Sequence, residues 1–145
     1  MRSAYERACA FDPEVMAEQY IDGTEFTVAI LNGEAMPVIE FHTPHKFYDY
    51  DAKYIANDTQ YLCPAPLDEE TTAYLQALSL EAFNAVGCEG WGRVDLMRDQ
   101  QGQYWLLEVN TVPGMTDHSL VPMAATAKGM SFTELLLQIL AAKPL

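Results

Sequence analysis

Residues 89–120 read EGWGRVDLMRDQQGQYWLLEVNTVPGMTDHSL. Two runs rich in β-branched and aromatic residues, 90–97 and 103–110, flank the polar segment Asp99-Gln100-Gln101-Gly102, a pattern that predicts an antiparallel hairpin. Side chains two apart share a strand face. Arg93, Asp95 and Met97 therefore share one face of the first run, and Leu106, Glu108 and Asn110 share one face of the second. A turn that pairs Arg98 with Gln103 sets odd positions opposite even ones. Arg93, Asp95, Glu108 and Asn110 then all point the same way.

Two carboxylates and an amide oxygen converging on one face suit a hard cation such as Mg²⁺, which takes one or two carboxylates together with phosphate oxygens and water. A solvated sheet face with one cross-strand ion pair, Arg93 with Glu108, fits the same residues. The position of Asn110, directly before the Pro113-Gly114 loop, favours a site. In residues 111–120 the backbone N–H groups at Gly114 and near Ser119 and Leu120 offer an anion site, because helix N-termini favour negative charge. Arg93 adds a planar fork suited to carboxylate or phosphate. For Ser119, an ordinary helix N-cap is the competing role.

Outward from this stretch, the 145 residues suit one domain, and hydrophobic residues make up 50% of them. The longest apolar runs fall short of a membrane span. Met1-Arg2-Ser3-Ala4-Tyr5-Glu6 carries no apolar signal segment, so a cytoplasmic location is expected. Cys9, Cys63 and Cys88 are odd in number and widely spaced, neither a disulfide framework nor a zinc pattern. The 8 basic residues against 21 acidic ones give a net charge of −13, which excludes nucleic-acid binding through a basic surface. A phosphate ligand would need cations brought or borrowed.

In chain order, Tyr5, Ala8 and Cys9 have helical spacing, and Asp12-Pro13 ends that helix over 1–11. Its abrupt start resembles an internal start. Residues 15–21, 25–31 and 35–41 read as an antiparallel meander with turns at Asp22-Gly23 and Asn32-Gly33. Residues 42–67, with Pro44, Pro64, Pro66 and the run Phe47-Tyr48-Asp49-Tyr50-Asp51-Ala52-Lys53-Tyr54, fit neither period and suggest a lid or a surface excursion. Asp68 caps a helix over 68–86 with the stripe Leu75, Leu78, Ala82 and Phe83, and Gly87 stops it. A short helix over 119–127 and a last helix capped by Ser131 and Glu134, with Leu135, Leu136, Ile139 and Leu140 as its buried face, complete the chain.

At these residues the sequence resembles the C-terminal part of D-alanine–D-alanine ligases, of the ATP-grasp superfamily. The segments that carry the likeness are EQYIDGTEFTVAIL from Glu18, FYDYDAKY from Phe47, GWGRVDLM from Gly90, LLEVNTVPGMT from Leu106 and HSLVPMAA from His118. Together they cover nearly the whole chain in order. The resemblance implies an α+β fold, the ATP-grasp C-terminal subdomain, with a mainly antiparallel sheet flanked by helices. It also implies the ATP-dependent formation of the D-alanyl-D-alanine dipeptide for peptidoglycan precursors through an acyl phosphate.

Site roles follow from the same resemblance. Asp95, Glu108 and Asn110 are similar to the ligands of two Mg²⁺ (or Mn²⁺) ions. Glu18, Gln19, Tyr20 and Ile21 resemble the adenine segment, with Phe47, Met97 and Leu107 also at the nucleotide and Met97 and Leu107 as apolar walls. Glu25 matches the ribose carboxylate and Lys53 the lysine at the terminal phosphate. Arg93 and the Gly114 N–H resemble oxyanion stabilisers, and Ser119 and Leu120 the site of the second D-alanine carboxylate. Tyr54 occupies the loop position associated with D-alanine rather than D-lactate, which disfavours a D-alanine–D-lactate ligase.

The family's N-terminal domain and central subdomain, with a Gly/Ser-rich phosphate loop, have no counterpart in 1–145. An inactive C-terminal fragment is therefore the expectation, with the missing half as its partner and a homodimer for the full-length protein. The reading from another class is a non-catalytic module that self-associates or binds a partner. A metal site at His42 and His45 is weaker, since Pro44 separates them without a third ligand.

Overall fold

Residues 23–31 (GTEFTVAIL) form the strand around which the sheet is built: every residue from Phe26 to Leu31 is buried, so the run is covered on both faces, as a central strand is. The computed structural model describes residues 2–42 and 59–142. Its elements are α1 (Arg2–Ala8), β1 (Gly23–Leu31), β2 (Glu34–Ala35), β3 (Ile39–His42), β4 (Gln60–Leu62), α2 (Glu69–Ala85), β5 (Trp91–Asp99), β6 (Tyr104–Asn110), α3 (Leu120–Ala127) and α4 (Phe132–Ala141). The strands form one sheet in the order β4-β3-β1-β5-β6, with β2 also on β1, and every pairing is antiparallel. The expected α+β class, a mainly antiparallel sheet flanked by helices, is the one observed. No described helix is long and apolar enough to cross a membrane.

Two apolar layers fix the helices. On one face Phe26, Val28, Ile30, Val94 and Leu96 pack with Leu75 and Phe83 of α2. On the other, Ala29, Leu31 and Ile39 pack with Leu120, Val121, Ala124 and Ala125 of α3 and Leu135 of α4. The α2 boundaries agree with expectation: Asp68 accepts the Thr71 N–H at 2.7 Å, and Gly87 leaves the helix at φ 74°. The α4 cap is a full capping box, with Ser131 and Glu134 each bonding the other's backbone.

Four expectations fail, each for a physical reason. Residues 15–21 form no strand, because both edges of β1 are occupied: β5 pairs along Gly23–Leu31, while β3 and β2 divide the other edge. The third run, 35–41, splits into β2 and β3. The register on β1 slips by one residue between Ile30–Ala35 and Thr27–Ile39, and Pro37, which has no N–H for a ladder, lies in the slip. Within 42–67, Gln60–Leu62 adds an edge strand to β3; residues 43–58 lie outside the described residues. In α4 the buried face is narrower than the sequence stripe, since Leu140 is 81% exposed.

Candidate active site

The site is laid out in rows across the sheet. Cross-strand partners place Glu25, Met97 and Trp105 in one row, Thr27, Asp95 and Glu108 in the next, and Ala29, Arg93 and Asn110 in a third. On β1 this face runs from polar Glu25 through Thr27 to apolar Ala29 and Leu31. Helix α3 covers the apolar end. The polar groups therefore lie beside the start of that helix.

The expected convergence of Arg93, Asp95, Glu108 and Asn110 is present, but by a different route. Arg98 pairs with Tyr104, not Gln103, so near the turn Met97 opposes Trp105, and Leu106 lies opposite Leu96 on the other face from Glu108. A regular ladder from that start would set Leu107 against Asp95 and Val109 against Arg93. A bulge between Asp95 and Leu96 inserts Leu107 as an extra residue on β6. Glu108 is thereby brought opposite Asp95, and Asn110 opposite Arg93.

Asp95 is the hub. Its Oδ1 accepts from Arg93 Nε at 2.7 Å and from the Thr27 hydroxyl at 2.6 Å. Its Oδ2 accepts from Arg93 Nη2 at 2.7 Å and from Asn110 Nδ2 at 2.9 Å. Asn110 Nδ2 also reaches Glu108 Oε1 at 3.2 Å. The anticipated Arg93–Glu108 cross-strand pair is thus replaced by a bidentate pair along β5 between Arg93 and Asp95, whose side chains are 12% and 13% exposed. Such a fork-to-carboxylate pair fixes orientation as well as charge.

Beside the hub, the Pro113-Gly114 loop meets α3. Ser119 stands at the N-cap of α3 but makes no side-chain cap bond. Its Oγ instead accepts the Thr116 N–H at 2.9 Å and lies 2.9 Å from the Thr116 hydroxyl. A Cβ on Gly114 would come within 3.1 Å of Ser119 Oγ, a tight contact that would push on that hydroxyl. The Leu120 side chain is in the core at 7% exposure, which leaves its backbone N–H as the group that can meet a ligand. A cleft of about 950 Å³ opens here, lined among others by Arg93, Asn110, Gly114, Ser119, Leu120 and Cys63. Burial pushes the Cys63 thiol above its ordinary pKa, which makes it a poor nucleophile.

The remaining sequence candidates divide. Glu25 and Met97 are direct cross-strand partners, and Leu107 is half-exposed at the bulge. Glu18, Gln19, Tyr20 and Ile21 lie in the irregular chain leading into β1, with Tyr20 63% exposed. Phe47, Lys53 and Tyr54, and with them His45, lie outside the described residues. His42 bonds Glu40 at 2.6 Å. Sequence reasoning missed Thr27 and Thr116. A lone hydroxyl inside F-T-V-A-I-L, at the parity of Glu25, was the available signal for Thr27.

The donor set fits a hard divalent cation. No cluster of three His, Cys, Asp or Glu side chains that could hold a metal occurs among the described residues. Asp95 and Glu108 offer carboxylates, and Asn110, whose amide nitrogen faces both of them here, would turn its oxygen inward to join them, leaving the other positions to phosphate and water. That incomplete oxygen set is the one Mg²⁺ uses with nucleotides.

A family model described as the D-ala D-ala ligase C-terminus matches residues 1–141. A D-alanine–D-alanine ligase of Saccharophagus degradans is 60% identical over 141 residues, 97% of this chain and 45% of that protein. The crystal structure of a D-alanine–D-alanine ligase from Bacillus anthracis complexed with ATP superposes with a TM-score of 0.81 at 32% identity, over 97% of this chain and 44% of that one. The VanG D-Ala:D-Ser ligase from Enterococcus faecalis superposes with a TM-score of 0.78 at 32% identity, over 97% and 42%. The chain thus spans a little under half the length of these relatives, and within that span it belongs to the D-ala D-ala ligase C-terminus family.

Proposed function

We infer that this chain supplies the metal- and phosphate-binding side of an ATP-dependent ligase that joins two D-alanine molecules. The observation that carries this is the convergence of Asp95, Glu108, Asn110 and Arg93 on one sheet face, with Arg93 and Asn110 lining a cleft together with Gly114 and Ser119. In the reaction, a carboxylate oxygen of the first D-alanine attacks the γ-phosphorus of ATP and ADP leaves. The amine of the second attacks the resulting acyl phosphate, loses its proton, and inorganic phosphate departs as the peptide bond forms.

The tasks follow the family resemblance, and for Phe47, Lys53 and Tyr54 they rest on it alone. Asp95, Glu108 and Asn110 would hold Mg²⁺ or Mn²⁺, which supplies neutralisation of the nucleotide phosphates. The Arg93 fork and the Gly114 N–H face the charge that builds on the phosphoryl group and then on the tetrahedral oxygen. The Ser119 hydroxyl, unused for capping, and the N–H at Leu120 hold the carboxylate of the second D-alanine. Glu25 takes the ribose hydroxyls. Met97 and Leu107 wall the adenine, and residues 18–21 with Phe47 edge it. Lys53 reaches the terminal phosphate, and Tyr54 borders the second substrate.

The whole activity belongs to a longer, dimeric, cytoplasmic protein that also carries the first D-alanine site. The 145 residues alone are expected to release little or no ADP with ATP and D-alanine. Robust turnover by the isolated chain would contradict that. The site itself is tested by calorimetry with Mg·ATP, run beside sedimentation. Binding that Asp95→Asn and Glu108→Gln abolish supports the assignment. Binding indifferent to both, or self-association without any nucleotide binding, points to an interaction module instead.

A further inference from the structure

We propose that Thr27 is a positioning residue for the metal site, fixing Asp95 from the core side of the sheet. The inference rests on Asp95 being a metal ligand, as inferred above.

Thr27 is the one hydroxyl in the buried run Phe26–Leu31 and is itself 0% exposed. A hydroxyl placed there without a partner would be costly. Its partners are Asp95 Oδ1 at 2.6 Å and Val94 O at 3.2 Å. A hydroxyl has one proton to donate, and the shorter contact to an ionised oxygen is the stronger. The β-branched side chain is stiff about χ1, so the donor is held in place before any ligand arrives. Cross-strand pairing puts Thr27 directly opposite Asp95, which removes any lever arm between them.

The four contacts to Asp95 occupy about all the acceptor capacity of a carboxylate. A cation must therefore displace some of them. Arg93 and Asn110 line the cleft, so a ligand there competes with Asp95 for their donors. Thr27 is enclosed in the core and reaches a ligand only through Asp95. Its bond to Oδ1 lies outside that competition and would keep the Asp95 carboxylate oriented while a cation is held. Outer-shell donors of this kind typically change metal affinity by about 10- to 100-fold when removed.

The probe is Mn²⁺, titrated into the 145-residue chain and followed by electron paramagnetic resonance, with Asp95→Asn defining the background from surface carboxylates. The expected result is a bound-ion component absent from Asp95→Asn, weakened about 10- to 100-fold in Thr27→Val and restored in Thr27→Ser, which keeps the hydroxyl. Thr27→Val should also change the fine structure of the bound-ion spectrum while melting cooperatively without metal. Equal Mn²⁺ affinity and spectrum in Thr27→Val and the unsubstituted chain overturn the proposal. So does failure of Thr27→Ser to restore binding while melting like the unsubstituted chain. If the unsubstituted chain and Asp95→Asn bind alike, Asp95 is not a ligand, and the proposal falls with the site assignment, a result distinct from the Thr27 outcomes.

Discussion

Asp99 closes the β5–β6 turn by accepting the Gln101 and Gln103 N–H groups on Oδ1, at 2.9 and 2.8 Å, and the Trp105 indole N–H on Oδ2 at 2.8 Å. The indole bond, foremost, and then these backbone donors favour the ionised carboxylate and hold its pKa below the ordinary value. The sign of the linkage follows from that depression. The contribution is fully present above the unfolded-state pKa and is lost as pH falls through the lower folded-state value. Trp105→Phe keeps an aromatic ring next to Met97 and removes only the donor. The Asp99 pKa, read by carboxyl NMR, is expected to rise part of the way back, since the backbone donors remain. The variant should melt below the parent at neutral pH, and the gap should close in acid once Asp99 is protonated in both. A gap that persists unchanged in acid would assign the loss to ring packing. Because Trp105 shares its row with Met97 and Glu25, this turn also sets that end of the face.

At the scale of elements, β5 is locked between its neighbours by Gly92. A Cβ there would lie 2.6 Å from the Phe83 ring of α2 and 2.8 Å from the Asn110 carbonyl of β6. The ring can shift a little; the backbone carbonyl cannot shift without moving Asn110. Gly92→Ala is expected to destabilise by about 1–3 kcal/mol, the range for overpacking, and to weaken Mg·ATP binding by displacing Asn110. Thermal melting and calorimetry check the two effects separately. Phe83→Leu in the same chain should relieve part of the first and little of the second. Legibility divides along similar lines. Capping chemistry and the 3.6 period are local, so Asp68, Gly87 and the Ser131–Glu134 box marked their helices in the sequence. The polar face of the hairpin was legible from parity, yet through a turn register one residue off, which the bulge at Leu107 offsets; nothing in L-L-E marks a bulge. The run 15–21 had strand composition and an Asp-Gly turn. What it lacked was a free edge on β1, and occupancy of an edge is a long-range property. Thr27 was hidden for the same reason, since only the β1–β5 register places its hydroxyl against Asp95.

Charge is a property of the whole molecule. Net −13 on a chain of 145 residues, for which size scaling gives a radius of gyration of about 15 Å, repels an anionic nucleotide and attracts a free cation. The distance over which either is felt depends on salt: about 30 Å at 0.01 M and about 8 Å at 0.15 M. At the lower ionic strength the screening length is about twice the radius of gyration, and acidic groups over most of the surface act at the cleft. At the higher one only nearby groups count, and Arg93, paired with Asp95, lines the cleft. Raising KCl between these limits should therefore strengthen Mg·ATP binding to this chain and weaken binding of Mn²⁺ alone. Calorimetry for the first and paramagnetic resonance for the second measure the two slopes. Opposite signs are the mark of one net-charge field acting on ligands of opposite charge. If both ligands weaken together with salt, the pocket itself governs the nucleotide, and Arg93→Gln should then remove its salt dependence.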